Sequence, residues 1–281
     1  MKGIKGIKLS LGFTLVEMVT VIIVLGVLVL GVSSFVVLGT RIFIDSTSVE
    51  QVLGQSRFGL ERMTRELRNA VPNSIRLNPA PPSTNANYQC VEFVPIQASA
   101  SYIDLPFSPF PASVTGTVLP PSQGINNAHQ MLVYPLKTAD IYASTPAGTS
   151  GRLFDVNTFS QASGLVTFDR AVRFAEASPI KRYFMINGPV SYCFQSNGTD
   201  GTLWRYAGYG LQSTQPTPST MTGGALMAEE IINNLALVSD QPILLTPSSL
   251  VNNAMLQLTP TFSVNGQVFQ YQHQVQVINV P

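Results

Sequence analysis

Few side chains in this 281-residue sequence are capable of chemistry, and fewer are spaced for it. There are two histidines, His129 and His273, and two cysteines, Cys90 and Cys193. That is too few for a Cys/His zinc cluster with its paired short spacings. Asp155, Asp169 and Asp200 are candidate calcium ligands, but a hard cation wants about 6 to 8 oxygens and no clustered acidic loop supplies them. No G-x-x-x-x-G-K-[ST], G-x-G-x-x-G or H-E-x-x-H run occurs, and Gly208-Tyr209-Gly210 lacks the third glycine and a following helix. His273 shares one face of an alternating strand with Phe269 and Tyr271, the position of a satisfied core histidine, and His129 falls in a polar loop without an evident partner. Asn197-Gly198-Thr199 fits a glycosylation sequon, although a hairpin turn explains it more simply. Tyr88, Tyr102, Trp204, Tyr206 and Tyr209 could build a sugar- or DNA-binding surface; packing is the simpler role for most of them. The expectation is a protein that is not an enzyme and has no cofactor and no metal.

Composition narrows the class further. Charged residues make up 11% of the chain, where about 25% is ordinary for a soluble domain. Lys+Arg 16 against Asp+Glu 15 leaves no net field to attract phosphates, so nucleic acid is not an expected partner. The 45% hydrophobic content argues against disorder.

One ionisable group stands against its surroundings. Between Lys8 and Arg41 the only one is Glu17, inside an apolar run from Phe13 to Leu38. As a helix those 26 residues measure about 39 Å, against a bilayer core of about 30 Å. Lys2, Lys5 and Lys8 precede the run, which places the N-terminus in the cytoplasm and the C-terminal body outside. A secretory signal peptide fits less well, because the run is long and Gly31-Val32-Ser33-Ser34 is a mediocre cleavage site. A buried core helix rarely runs so far uncharged. A plain anchor gains nothing from Glu17, whose insertion costs up to about 3 kcal/mol near the bilayer centre. The carboxylate is useful if it meets a cation, and a cut behind Gly12 would expose an α-amino group on Phe13.

Gly12-Phe13-Thr14-Leu15-Val16-Glu17, behind a short lysine leader and ahead of an apolar helix, resembles the cleavage and methylation motif of type IV pilins and pseudopilins. The resemblance implies cleavage by a prepilin peptidase after Gly12 and N-methylation of Phe13. It also implies that Glu17 meets the N-terminal amine of a neighbouring subunit during assembly.

Beyond the membrane run, residues 41–70 are densely charged, and all 20 prolines lie at or after Pro72. Val49, Val52, Leu53, Leu60, Met63 and Leu67 share one side of an amphipathic helix over 49–67, with Phe58 opposite. Arg62, Arg65, Glu66 and Arg68 are spaced for i,i+3 or i,i+4 pairs on the reverse side. Thr47-Ser48-Val49-Glu50 reads as a capping box that would start a new helix, but one continuous helix, with bending near Gly39 or residues 45–48, is the favoured reading. Pro72 ends it.

From there the pattern is β-rich. Strands are expected at Cys90–Ile96, Met131–Tyr134, Leu165–Phe168, Val190–Gln195, Thr202–Tyr206, Met255–Leu258 and, unbroken, Phe269–Val277. Val190–Gln195 and Thr202–Tyr206 read as a hairpin, Ala225–Leu237 as a short helix, and 78–88, 105–125 and 212–222 as loops. Cys90 and Cys193 fall in two of the strands, and outside the cytoplasm a disulfide between them is the expectation.

The segments Phe43–Thr47, Glu61–Arg76, Cys90–Phe93, Val190–Cys193, Leu203–Tyr206 and Gln274–Pro281, in that order, are similar to minor pilins of the mannose-sensitive haemagglutinin (MSHA) pilus, and more distantly to the J pseudopilins of type II secretion. The resemblance implies an α+β fold: a long N-terminal helix, half transmembrane and half amphipathic, packed on an antiparallel β-rich pilin-like domain. Its parts would be a leader (1–12), a membrane or filament-core helix (13–38), an amphipathic helix (39–71) and the globular domain (72–281). The implied function is a minor pilin at or near the pilus tip that primes assembly, with a tip adhesin or a secretion pseudopilin as alternatives. Implied partners are other minor pilins, the major pilin, the prepilin peptidase, the inner membrane and its assembly platform. The chain would sit in the bacterial inner membrane with a periplasmic C-terminus, then in the pilus.

Overall fold

The computed structural model describes residues 12–125, 129–143, 146–198, 200–247 and 253–277. Residues 1–11 of the expected leader, Thr199 of the sequon and residues 278–281 lie outside them. The chain divides into two compact units, Met1–Gln51 and Val52–Pro281.

In the first unit every described side chain from Gly12 to Thr47 is exposed. Helix α1 (Leu15–Arg68) starts here and continues into the second unit. It is unbroken at 45–48, as the favoured reading had it. The Thr47 hydroxyl donates to the Phe43 carbonyl (2.8 Å) and the Ser48 hydroxyl to that of Asp45 (3.0 Å), so both hydroxyls bond back into the helix instead of capping a new one.

In the second unit α1 buries Ser56, Gly59, Leu60, Met63, Thr64 and Leu67, which recur at helical spacing. Leu60, Met63 and Leu67 lie on the expected stripe, but Leu53 is exposed and Val52 only half-buried. The side that packs runs through small residues. A Cβ on Gly59 would stand 2.7 Å from the Met227 carbonyl oxygen, so the helix approaches a strand backbone more closely than any other residue permits. Phe58 is exposed on the far side, as expected.

Eighteen strands follow among the described residues. The first six are β1 (Arg76–Asn78), β2 (Tyr88–Phe93), β3 (Ile96–Asp104), β4 (Ser113–Val118), β5 (Gln130–Val133) and β6 (Ser150–Gly151). Next come β7 (Leu153–Asp155), β8 (Thr158–Phe159), β9 (Leu165–Phe174), β10 (Arg182–Ile186), β11 (Val190–Ser196) and β12 (Gly201–Ala207). The last are β13 (Ala225–Ile231), β14 (Ile243–Thr246), β15 (Ala254–Leu258), β16 (Thr261–Val264), β17 (Gln267–Gln270) and β18 (His273–Val277). A one-turn helix, α2 (Ala139–Tyr142), lies between β5 and β6.

They form three sheets, antiparallel except where β6 meets β9. The orders are β1-β2-β11-β12-β13-β16-β17, then β6-β9-β4-β3-β10-β5-β7 with β8 on β9, and β14-β15-β18. Leu60, Met63 and Leu67 of α1 join Phe93, Tyr192, Leu203, Phe262, Leu256 and Val275 in a core shared by the first and third sheets. A second core, around Phe154, Phe168 and Phe174, belongs to the second sheet. The result is a long apolar N-terminal helix and a largely antiparallel β-rich region, an α+β chain.

Three expectations about elements need correction. Ala225–Leu237 is not helical: residues 225–231 are strand β13, held between β12 and β16, although Ala, Leu, Met and Glu favour helix. Pairing with two neighbours outweighs that local preference, and Gly223 (φ 70°) turns the chain into the sheet. Segment 105–125 is not all loop, because it contains β4. Phe269–Val277 is not one strand. β17 pairs with β16, the chain breaks at Tyr271-Gln272, and β18 pairs with β15 in another sheet. The Tyr271 amide donates to the Pro260 carbonyl at that break (2.9 Å).

Candidate functional site

The sequence places its most specific signal at the head of α1, and this segment is built as a helix start. Gly12, Phe13 and Thr14 precede the first helical residue, Leu15. The Glu17 amide donates to the Thr14 hydroxyl (3.3 Å) and to the Thr14 carbonyl (3.1 Å). Thr14 is therefore the N-cap and Glu17 the third helical residue, the spacing of a capping box. The same T-x-x-E spacing stands at Thr47, where no helix begins. The box at Thr14 also amends the argument from cost. A carboxylate in the first turn lies at the positive end of the helix dipole, which offsets part of its desolvation even without a cation.

Past Glu17 the helix has no polar side. Leu15, Leu30 and Phe35 are 80%, 71% and 77% exposed, and every large apolar side chain from Leu15 to Ile44 is exposed. By length and composition α1 could cross a membrane. Ser34 and Thr40 return their hydroxyls to the Leu30 and Val36 carbonyls (3.1 and 2.8 Å), so their polar groups are satisfied within the helix.

Cys90 and Cys193 face each other directly in β2 and β11, with Cα atoms 4.0 Å apart, and are joined by a disulfide. Both are fully buried. Tyr88, Trp204, Tyr206, Tyr209 and Met221 pack around the bridge, and the Trp204 and Tyr206 rings stack at 6.5 Å. Tyr102 belongs to the second core and donates to the Ser178 carbonyl (3.2 Å). These aromatics pack around buried features in two separate cores and form no single surface.

Two ionic groups lie beside this core, and neither was foreseen as a unit. Glu92, wholly buried on β2, is paired with Arg76 and accepts from the Tyr209 hydroxyl (2.8 Å). Burial pushes its carboxyl up from the usual range although Arg76 and Tyr209 pull the other way. The Arg76 guanidinium also lies over the Tyr142 ring (3.7 Å) and donates to the Gln212 and Ser213 carbonyls (2.8 and 2.7 Å). It thus ties the start of segment 212–222 to the sheet. In the second group Glu66 accepts from Arg62 (3.0 Å), one of the i,i+4 pairs expected on the helix, and from Arg205 of β12 (3.0 Å). A cleft of about 440 Å³ opens beside it, lined by Glu66, Asn69, Gln97, Gln123, Asn187 and Arg205.

The remaining candidates do not converge. Asp155 accepts from Gln130 (2.8 Å), Asp169 lies 4.0 Å from Arg170, and Asp200 sits in the β11–β12 turn. Among the described residues no three His, Cys, Asp or Glu side chains are grouped to hold a metal ion. His129 is buried, not set in an open polar loop, and burial lowers its pKa. His273 takes the inward side of β18 as expected, the side it shares with Val275 and Val277, but its buried Nε2 makes no hydrogen bond among the described residues. The feature with the most specific chemistry is therefore the helix head, Gly12 to Glu17, and its apolar shaft. No family model, no curated protein and no solved structure matches this chain.

Proposed function

We propose that the chain is a minor subunit of a type IV pilus-like filament, of the kind found in the MSHA system. A prepilin peptidase cuts it behind Gly12, Phe13 becomes an N-methylated terminus, and the apolar half of α1 passes from the inner membrane into a filament core. There Glu17 meets the terminal amine of a neighbour and sets its register. The observation that carries this reading is Gly12-Phe13-Thr14-Leu15-Val16-Glu17 at the head of an exposed apolar helix whose only ionisable group before Arg41 is Glu17. Inside a lipid or protein shaft of low dielectric a carboxylate and an ammonium attract strongly, and each offsets the other's desolvation. The segment 212–222, one of the long loops suited to a tip adhesin, is tied to the body through Arg76 and by buried Gln215 and Met221, so it lends that alternative no support.

The deciding experiment is the intact mass of membrane-extracted protein from cells with and without their prepilin peptidase. A chain that begins at N-methylated Phe13 only when the peptidase is present is the expected result. A chain that keeps residues 1–12 in both strains, or is cut near Ser34, would overturn the reading.

A further inference from the structure

From Gln241 onward the sequence holds no Asp, Glu, Lys or Arg, whereas eight basic and ten acidic residues are spread between Val71 and Asp240. The fold turns this uncharged stretch into strands at sheet edges. β14 and β18 bound the third sheet, and β17 ends the first. Proteins ordinarily guard such edges with charge, proline or a bulge, because a bare row of amides and carbonyls recruits another strand. None of these three strands contains a charged residue or a proline, and no register shift interrupts their pairing.

The third sheet is also two-sided in a specific way. Its inner side carries Ile243, Leu256, Leu258, Val275 and Val277, all buried. Its outer side has two cross-strand rows, Leu244–Gln257–Gln274 and Thr246–Met255–Gln276. Of these six, all but Met255 are exposed. Among the described residues β18 pairs with β15 alone. Its sequence, His273-Gln274-Val275-Gln276-Val277, reads nearly the same in both directions about Val275. A second β18 laid antiparallel about a two-fold axis through Val275 would set Gln274 against Gln276 outside, and inside would set Val275 against itself and His273 against Val277. No like charges would be opposed, and side-chain sides would match, as an isologous contact requires.

We propose that the outer edge of β18 is a strand-addition site whose occupant is β18 of a second copy of this chain, joining two three-stranded sheets into one of six strands. The proposal stands apart from the filament reading, since it needs neither cleavage nor Glu17. The test uses the full chain in detergent micelles, with particle mass from light scattering corrected for detergent. The expected result is two chains per particle for the unaltered protein. Gln274→Lys/Gln276→Lys places ammonium groups opposite each other twice across the axis and should weaken dimerisation on the order of tenfold or more. Gln274→Glu/Gln276→Lys puts a carboxylate opposite an ammonium twice and should restore it. Both positions are exposed, so the fold should survive, and amide exchange of β18 supplies a second readout: its protection should rise with protein concentration. One chain per particle throughout would overturn the proposal. So would association that ignores both double variants, which is what contact through the apolar helix would give. Failure of the carboxylate–ammonium variant to restore dimers would equally rule out this register.

Discussion

Between Leu15 and Ile44, α1 exposes apolar side chains in every direction, whereas between Ser56 and Leu67 it buries one row and leaves Phe58 outside. Both stretches are helical and rich in apolar groups, and what separates them is distribution. A one-sided stripe has its partner within the same unit, in Met227, Phe93 and Tyr192. A shaft that is apolar all round has no such partner among the described residues, and by length and composition it could cross a membrane. The same side chain, leucine or valine, is core in one half and exposed apolar surface in the other.

The comparison can be broken most severely at the bridge that holds the stripe's partner sheet together. Replacing Cys90 and Cys193 by Ser, which opens a loop of 103 residues, should cost about 4 to 5 kcal/mol in the entropy account. Denaturant unfolding followed by Trp204, the one tryptophan and a neighbour of the bridge, reads this directly. Next in size, Met63→Ala should destabilise the β-rich unit by about 2 to 5 kcal/mol, while Leu30→Ala leaves the same transition unmoved. Equal effects of the two would dissolve the distinction between the halves. Gly59→Ala follows, at about 1 to 3 kcal/mol, because its new methyl group meets the Met227 carbonyl and the backbones must part.

The smallest effect expected is a pH dependence. Burial lowers the His129 pKa below its ordinary 6.5, so the unfolded chain takes up a proton there more readily than the folded one. The stability His129 contributes is complete above about pH 6.5 and is lost as pH falls through its depressed folded value. His129→Gln should flatten the stability profile in that acid window. An unchanged profile would mean that His129 is not what makes the β-rich unit acid-sensitive.

Much of the division between helix and sheet was legible before any coordinates. The apolar run, the Leu60–Met63–Leu67 stripe, the Val190–Tyr206 hairpin and the Cys90–Cys193 pairing all rest on local periodicity or on strand placement, and all are present. The misreadings share a cause. Residues 225–231 look helical by composition, and 269–277 look like one strand by alternation; which sheet accepts them depends on partners in other strands, which neither composition nor alternation names. The N-cap at Thr14 shares its T-x-x-E spacing with Thr47, and a motif alone does not say where a helix begins.

By itself, then, the sequence determined where the chain is apolar on all sides, where on one, and where Gly12, Phe13 and Glu17 stand against the lysines and the apolar run. These are matters of spacing along a single helix, and spacing is local. Only the tertiary structure decided that Gly59 would let a helix touch a strand backbone. It alone paired Glu92 with Arg76 and Tyr209 in the interior, and left the uncharged strands at the sheet edges. Those outcomes depend on distant segments competing for the same hydrogen bonds and the same apolar surface, and that competition is settled when the sheets close.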